Sequence, residues 1–267
     1  MQTVYIGNTL INDFRLGEII VDDVFQSNFL SIDWLAIGGG GGAGNSNTAA
    51  EFGGGGGAGR WVTGSASLTP QTINIKIGGP GNGAVSTFPG DGNPGQNTTL
   101  FINNQPITAS GGGNGGFHTS AGGNGGSGGG GGSNGDRAGG LAVASTPFAG
   151  FGFNGAAGST NGGGGGGAAS AGSGNTGGTG RAWLDGITYA QGGNGLGGQK
   201  ASVSGSGGNG ANNANAGSGG SGIVIIRYAG SGSKATGGNI SFTGGYTYHT
   251  FTSASIDGTA DFTFTYS

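Results

Sequence analysis

Few residues in this chain can do acid–base or metal chemistry. There are two histidines, His118 and His249, and two glutamates, Glu18 and Glu51. A hydrolytic triad needs serine, histidine and a carboxylate to converge. His118 lies in a loop between glycine runs, and His249 lies in an alternating stretch among aromatic residues. Serines are so abundant that a nominal match carries no weight. Glycoside hydrolysis needs two positioned carboxylates, and most of the aspartates are scattered. G-x-G-x-x-G matches recur, but none sits in the strand–turn–helix context that would cradle a phosphate. The absence of cysteine excludes disulfides, thiolate zinc sites and a cysteine nucleophile. The expectation is a protein that is not an enzyme and holds no cofactor and no metal.

One carboxylate pattern merits comparison. Asp13, Asp23 and Asp33 recur every ten residues. Stacked, they could ring a calcium ion together with backbone oxygens; alternatively they are turn residues, bonding locally to their own backbone. The turn reading is preferred, and it extends to Asp91 in GDGNPG and Asp136 in SNGDRAG.

The scaffold that positions these groups is dominated by glycine, 75 of 267 residues. Gly38–Gly42, Gly53–Gly57, Gly128–Gly132 and Gly162–Gly167 are unbroken runs. Glycine has no side chain to bury and loses the most backbone entropy on folding. Collagen is excluded, because glycine is not placed at every third residue and there are only six prolines. A flexible linker would not carry Phe117, Phe148, Phe151, Phe153, Trp183 and Tyr189. The remaining solution is a bundle of polyglycine-II helices, whose main-chain groups pair sideways with neighbouring runs. Side chains larger than Ser, Asn or Ala cannot enter it. Phe117, His118, Phe148, Phe151 and Phe153 are therefore placed at its ends or flanks, where they are candidate contact residues or, alternatively, cap the bundle or pack against symmetry mates. The stretch 141–153, LAVASTPFAGFGF, is the preferred contact surface.

Outside the runs the texture is β. Residues 1–33 read as decads in which Val4, Phe14, Val24 and Trp34 align, with Gly7, Gly17 and Ser27 at corners. Stacked short hairpins, a small β-solenoid or a stem closed by symmetry mates would fit, as would a plain β-meander; the aligned residues are the candidate assembly positions. Residues 34–77, 99–109 and 223–228 are read as one β layer closing the chain around the glycine region. Asn103-Asn104-Gln105-Pro106 forms a hairpin corner. The tail, 239–267, alternates as a hairpin or meander with one aromatic face: Phe242, Tyr246, Tyr248, Phe251, Phe262, Phe264 and Tyr266. The fold class is all-β with a polyglycine-II bundle and essentially no α-helix.

Net charge is −3 and the pI is near 5.1, so no basic surface is offered to nucleic acid. No apolar segment reaches the roughly 20 residues of a membrane span. The first residues lack a signal-peptide pattern, so export would follow cell lysis or a route the sequence does not display.

The motifs WLAIGGGGGAG, GGGGGAGRWVTGSASLTP, INIKIGGPG, TLFINNQPITASGGG and GGSGIVIIRY resemble the glycine-rich domain of bacteriophage tail and fibre proteins. WLDGITYAQGGNG (183–195) is similar to a hairpin within that domain. The tip adhesins of T-even-type tail fibres are more distantly similar. The resemblance covers about 34–228. It implies three parts: a decad module at 1–33 for virion attachment, a glycine-rich domain at 34–228 and a strand segment at 229–267. It also implies a tail-fibre or adhesin role in the virion. Partners would be other virion proteins and a host-surface glycan or outer-membrane protein, and the assembly a homo-oligomer, usually a trimer. A purely structural virion component, such as an adaptor, decoration or head fibre, is the alternative.

Overall fold

Wherever the sequence leaves glycine for alternating apolar residues, a strand forms. The computed structural model describes residues 4–6, 9–11, 29–144, 148, 150–198, 201–252 and 260–267. Within them β1 (Val4–Ile6) and β2 (Thr9–Ile11) pair antiparallel, Val4 opposite Ile11. Then follow β3 (Leu30–Ile37), β4 (Trp61–Leu68), β5 (Gln71–Ile77), β6 (Thr98–Ile102) and β7 (Gln105–Ala109). Three short strands come next: β8 (Gly150–Phe151), β9 (Arg181–Ala182) and β10 (Thr188–Tyr189). The last five are β11 (Ile223–Ala229), β12 (Ala235–Thr236), β13 (Asn239–Thr243), β14 (Tyr246–Thr252) and β15 (Ala260–Tyr266). The described residues contain no helix, and every named strand pair is antiparallel.

Two sheets face each other. One has the order β13-β14-β11-β3-β4-β8, the other β12-β15-β5-β6-β7. Between them lie Leu30, Ile32 and Trp34 of β3, Ile73, Ile75 and Ile77 of β5, Leu100 of β6, Ile107 of β7, Val224 and Ile226 of β11, Phe251 and Phe264. This corrects the single layer expected from sequence. β5 alternates strictly between buried and exposed residues, so it has one apolar face and needs an opposing sheet. Thr69-Pro70 carries the chain from β4 in one sheet to β5 in the other.

The tail is divided in the same way. β13 and β14 extend the six-stranded sheet, whereas β15 pairs with β5, Phe264 opposite Ile73. Its aromatic residues therefore do not share a face. Phe251 and Phe264 fill the sandwich, Tyr248 packs on the opposite side of its sheet, and Phe242 is exposed.

β3 and β11 are buried on both faces, which explains the unbroken apolar runs WLAI and IVII. Their second faces, Leu35, Ile37, Ile223 and Ile225, form another core with Trp61 and Tyr248. It is closed by Trp183 and Tyr189 from the β9–β10 hairpin and by Ala58 and Ala168 from the glycine region. Asp185 accepts a bond from the Tyr189 hydroxyl at 2.7 Å. Burial and this carboxylate together push the phenol well above its ordinary range.

The glycine region is ordered through main-chain bonds of three-residue period. In the segment 53–60, the amides of Gly53, Gly56 and Gly59 donate to the carbonyls of Ala211, Gly208 and Gly205. Those of Gly54, Gly57 and Arg60 donate to Gly116, Gly113 and Ser110, and those of Gly55 and Ala58 to Gly163 and Gly166. The carbonyls are used likewise. Gly54, Gly57 and Arg60 accept from Gly44, Gly41 and Gly38; Gly55 and Ala58 accept from Gly130 and Ser127; Gly56 accepts from Gly193. Six segments thus surround one, five of them met at successive third residues and the sixth through Gly193 alone. No residue of 53–60 has a positive φ, so glycine is required here for close approach. A Cβ on Gly54, Gly56 or Gly59 would fall on the carbonyl of Gly130, Gly41 or Gly38. Alanine is admitted at 58 and 168, where the methyl enters the second core.

Candidate functional site

β3 and β5 each continue into a glycine segment that leaves the sheets, turns and returns. Residues 38–44 go out and 53–60 come back to β4; 78–84 go out and 90–97 come back to β6. The segments that follow repeat the pattern, so loops 45–52, 85–89, 117–121, 133–137, 159–161 and 211–215 gather at the end remote from the sheets. Leu30 of β3 and Tyr266 of β15 lie at the opposite pole, because each is at the strand end away from the glycine segments.

Side chains at the loop end tie neighbouring loops together. Asn45 Oδ1 accepts the Gly90 amide at 2.9 Å, and its Nδ2 donates to the Ala214 carbonyl at 3.3 Å. Asp91 Oδ1 accepts the Phe117 amide at 2.6 Å, and Ser133 Oγ accepts the Phe52 amide at 2.8 Å. The Asn213 amide reaches the Ser46 carbonyl at 3.0 Å. These are amides left over where the three-residue bonding ends, and Asn, Asp and Ser supply the missing acceptors.

A buried His118 meets a partly exposed Glu51 at this end. His118 Nε2 is 3.0 Å from Glu51 Oε2. Glu51 Oε1 accepts from Asn134 Nδ2 at 2.6 Å, and the Asn134 amide donates to the His118 carbonyl at 2.8 Å. The Phe117 ring lies tilted against the imidazole at 3.9 Å between centroids. His118 Nδ1 is buried and meets no hydrogen-bond partner among the described residues. The pair clamps loops 45–52, 117–121 and 133–137. Among the described residues no group of three or more His, Asp or Glu is placed to hold a metal ion. Exposed on the same end are Phe88, at 82%, with Val85, Asp136 and Arg137.

The other aromatic candidates sit on the sheet side. Phe148 packs edge-on against Trp34 at 5.5 Å, and Trp34 is 1% exposed in the sandwich core. Phe151, in β8 opposite Trp61, lies beneath the Arg181 guanidinium at 3.7 Å. Phe153 is exposed, as are Leu141 and Val143. Arg60 holds this stretch down, donating to Val143 O at 3.1 Å and Gly150 O at 2.5 Å; burial lowers its pKa. Of the residues aligned by decads, Val4 pairs with Ile11, while Phe14 and Val24 lie outside the described residues, as do Asp13 and Asp23. Asp33 is not in a turn. It is mid-strand in β3, 3.0 Å from Arg227 Nη2 across the β3–β11 pair, with Ser65 Oγ donating to it at 2.7 Å. Sequence reasoning misses loop 85–89, although Phe88-Pro89-Gly90 is a bulky residue at a turn signal.

No curated protein matches the chain. A family model described as a glycine-rich domain matches residues 22–229. The match ends at the last residue of β11. β13 to β15 complete both sheets yet lie beyond it. With this share of its length matched, the chain belongs to the glycine-rich domain family.

Proposed function

We propose that the glycine region is a polyglycine-II bundle serving as a stiff stand, and that the chain is a bacteriophage virion protein of tail-fibre or adhesin type. The stand presents loops 45–52, 85–89, 117–121, 133–137 and 211–215 for attachment to the host surface. One observation carries this reading: these loops are collected at the pole opposite Leu30 and Tyr266. Loop ends held on a rigid scaffold are where binding residues concentrate. The three-residue bonding period supports the bundle, since a left-handed helix with about three residues per turn turns each successive amide to a different neighbour. The contact set is Phe88, Phe117, His118 and the polar residues around them, with Phe148, Phe151 and Phe153 contributing on the flank. The partners are other virion proteins and a host-surface glycan or outer-membrane protein.

Antibodies raised against the chain test both halves. Labelling of tails or fibres on purified particles by electron microscopy is expected, together with a block of adsorption by antibodies selected for loops 85–89 and 133–137. Unlabelled particles would overturn the virion assignment. Labelled particles that adsorb normally with those loops covered would leave the purely structural role.

A further inference from the structure

Among the described residues, four strand edges close the two sheets, and three of them are blunted. β8 and β12 are two residues long. β7 carries Pro106, which lies opposite Phe101 in a two-residue hairpin, so its missing N–H falls on the outward side. β13 has none of these devices. It spans five residues, Asn-Ile-Ser-Phe-Thr, all exposed and without charge or proline. Ile240 is 49% and Phe242 55% exposed, and both point to the face that His249 and Thr247 bury, because they lie directly opposite them. Natural edges of this kind are normally protected by charge, proline or shortness.

The register shows what the edge can take. β13 and β14 join through Gly244-Gly245, with Thr243 opposite Tyr246. In a two-residue hairpin the pair flanking the turn is hydrogen-bonded, so Thr243, Ser241 and Asn239 bond to β14. The amides and carbonyls of Ile240 and Phe242 therefore point outward. A second β13 laid antiparallel with Ser241 at the two-fold axis sets Ile240 against the partner's Phe242, and Phe242 against the partner's Ile240. Both become hydrogen-bonded pairs, each with an apolar cross-strand contact. No like charges meet. The strand is thus complementary to its own copy.

We propose that β13 is a self-pairing edge through which two copies of this chain join their six-stranded sheets into one continuous sheet. An isologous two-fold contact of this sort closes on itself and consumes the edge. The pairing is independent of what the loop end binds.

The chain contains no cysteine, so single introduced cysteines report the register without background. In the paired state two copies of residue 241 face each other as a non-hydrogen-bonded pair, about 4.5 Å between Cα atoms, within disulfide reach. Ser241→Cys is expected to form a disulfide-linked dimer on mild oxidation, whereas Thr243→Cys, whose opposite residue is the partner's residue 239, is expected to form none. Sedimentation of the unmodified chain should show a dimer, and Phe242→Lys should weaken it at least tenfold while leaving the thermal midpoint in place. A monomer at about 100 µM, a concentration at which a micromolar contact is saturated, overturns the proposal. So does an assembly, three-fold or otherwise, that ignores Phe242→Lys, or equal cross-linking at 241 and 243.

Discussion

A Cβ placed on Gly54 would fall on the carbonyl oxygen of Gly130, one of the six segments around 53–60. Gly130 itself donates its amide to Gly55 at 2.8 Å, so it cannot withdraw without breaking the bonding around Gly54. Gly54→Ala is therefore expected to cost about 3 kcal/mol or more, beyond ordinary overpacking because the obstacle is backbone. Gly90 is the matched control: nothing lies within 4 Å of where its Cβ would stand, and its φ is not positive. Gly90→Ala should be neutral or stabilise by up to about 1 kcal/mol, through a less flexible unfolded chain. Thermal or urea unfolding of the two variants separates these outcomes.

His249 ties the sandwich together as a neutral ring. Nδ1 is 2.7 Å from the Gly237 carbonyl and so carries the proton, and Nε2 accepts from the Tyr228 hydroxyl at 3.1 Å. The ring packs edge-on against Phe264. Burial, the dominant cause, lowers its pKa, partly offset by the bond to Gly237. The unfolded chain therefore binds this proton more readily than the folded one. Stability is full above the unfolded value, about 6.5, and falls as the pH drops below it. Urea midpoints between pH 8 and pH 5 should decline across this window, and His249→Gln should remove the part of the slope that belongs to this ring.

The loop end is clamped more weakly than it is built. Glu51→Gln replaces the carboxylate that lies 3.0 Å from His118 Nε2 by an amide at a partly exposed position, and surface contacts of this kind contribute about 0–1 kcal/mol. Global stability should barely move. Proteolytic cutting within 45–52 and 117–121 should become several-fold faster, because those loops share the clamp. An unchanged cleavage rate would show that the backbone alone holds them.

The β6–β7 turn makes a local prediction. Asn103 and Asn104 have φ of 50° and 60°, the left-handed pair that a two-residue hairpin of right-handed twist requires. Asn104→Gly should be tolerated. Asn104→Val should cost about 1–2 kcal/mol, since a branched Cβ meets the following carbonyl in that conformation. Chemical unfolding measures both.

That turn was legible in the sequence, because Asn-Asn between two alternating runs has a local cause. So were β3 and β11, whose unbroken apolar runs betray burial on both faces, and the confinement of bulky residues to the flanks of the glycine segments. The division into two sheets was not legible. INIKI and WVTGSASL look alike as strands, and nothing local states that Thr69-Pro70 changes layer. The partners of 141–153 were hidden for a related reason: Arg60 reaches Val143 and Gly150 only after the chain has gone out and back several times. The regular spacing of Asp13, Asp23 and Asp33 suggested one role for all three. Asp33 instead answers to Arg227, at the other end of the chain. At the loop end, Asn45, Asp91 and Ser133 stand just beside glycine segments, and that placement is the signal that could have marked them as caps.

Site-resolved hydrogen exchange tests the central claim most directly, because the glycine segments are held by their amides alone. Amides of Gly53 to Arg60 are expected to exchange as slowly as those of Val224 to Ile226 in β11, opening only with the whole fold. Those of 49–50 and 135–137 should exchange fast. Rapid exchange throughout 53–60, at the rate of an unstructured chain, would contradict a solid built from laterally bonded glycine.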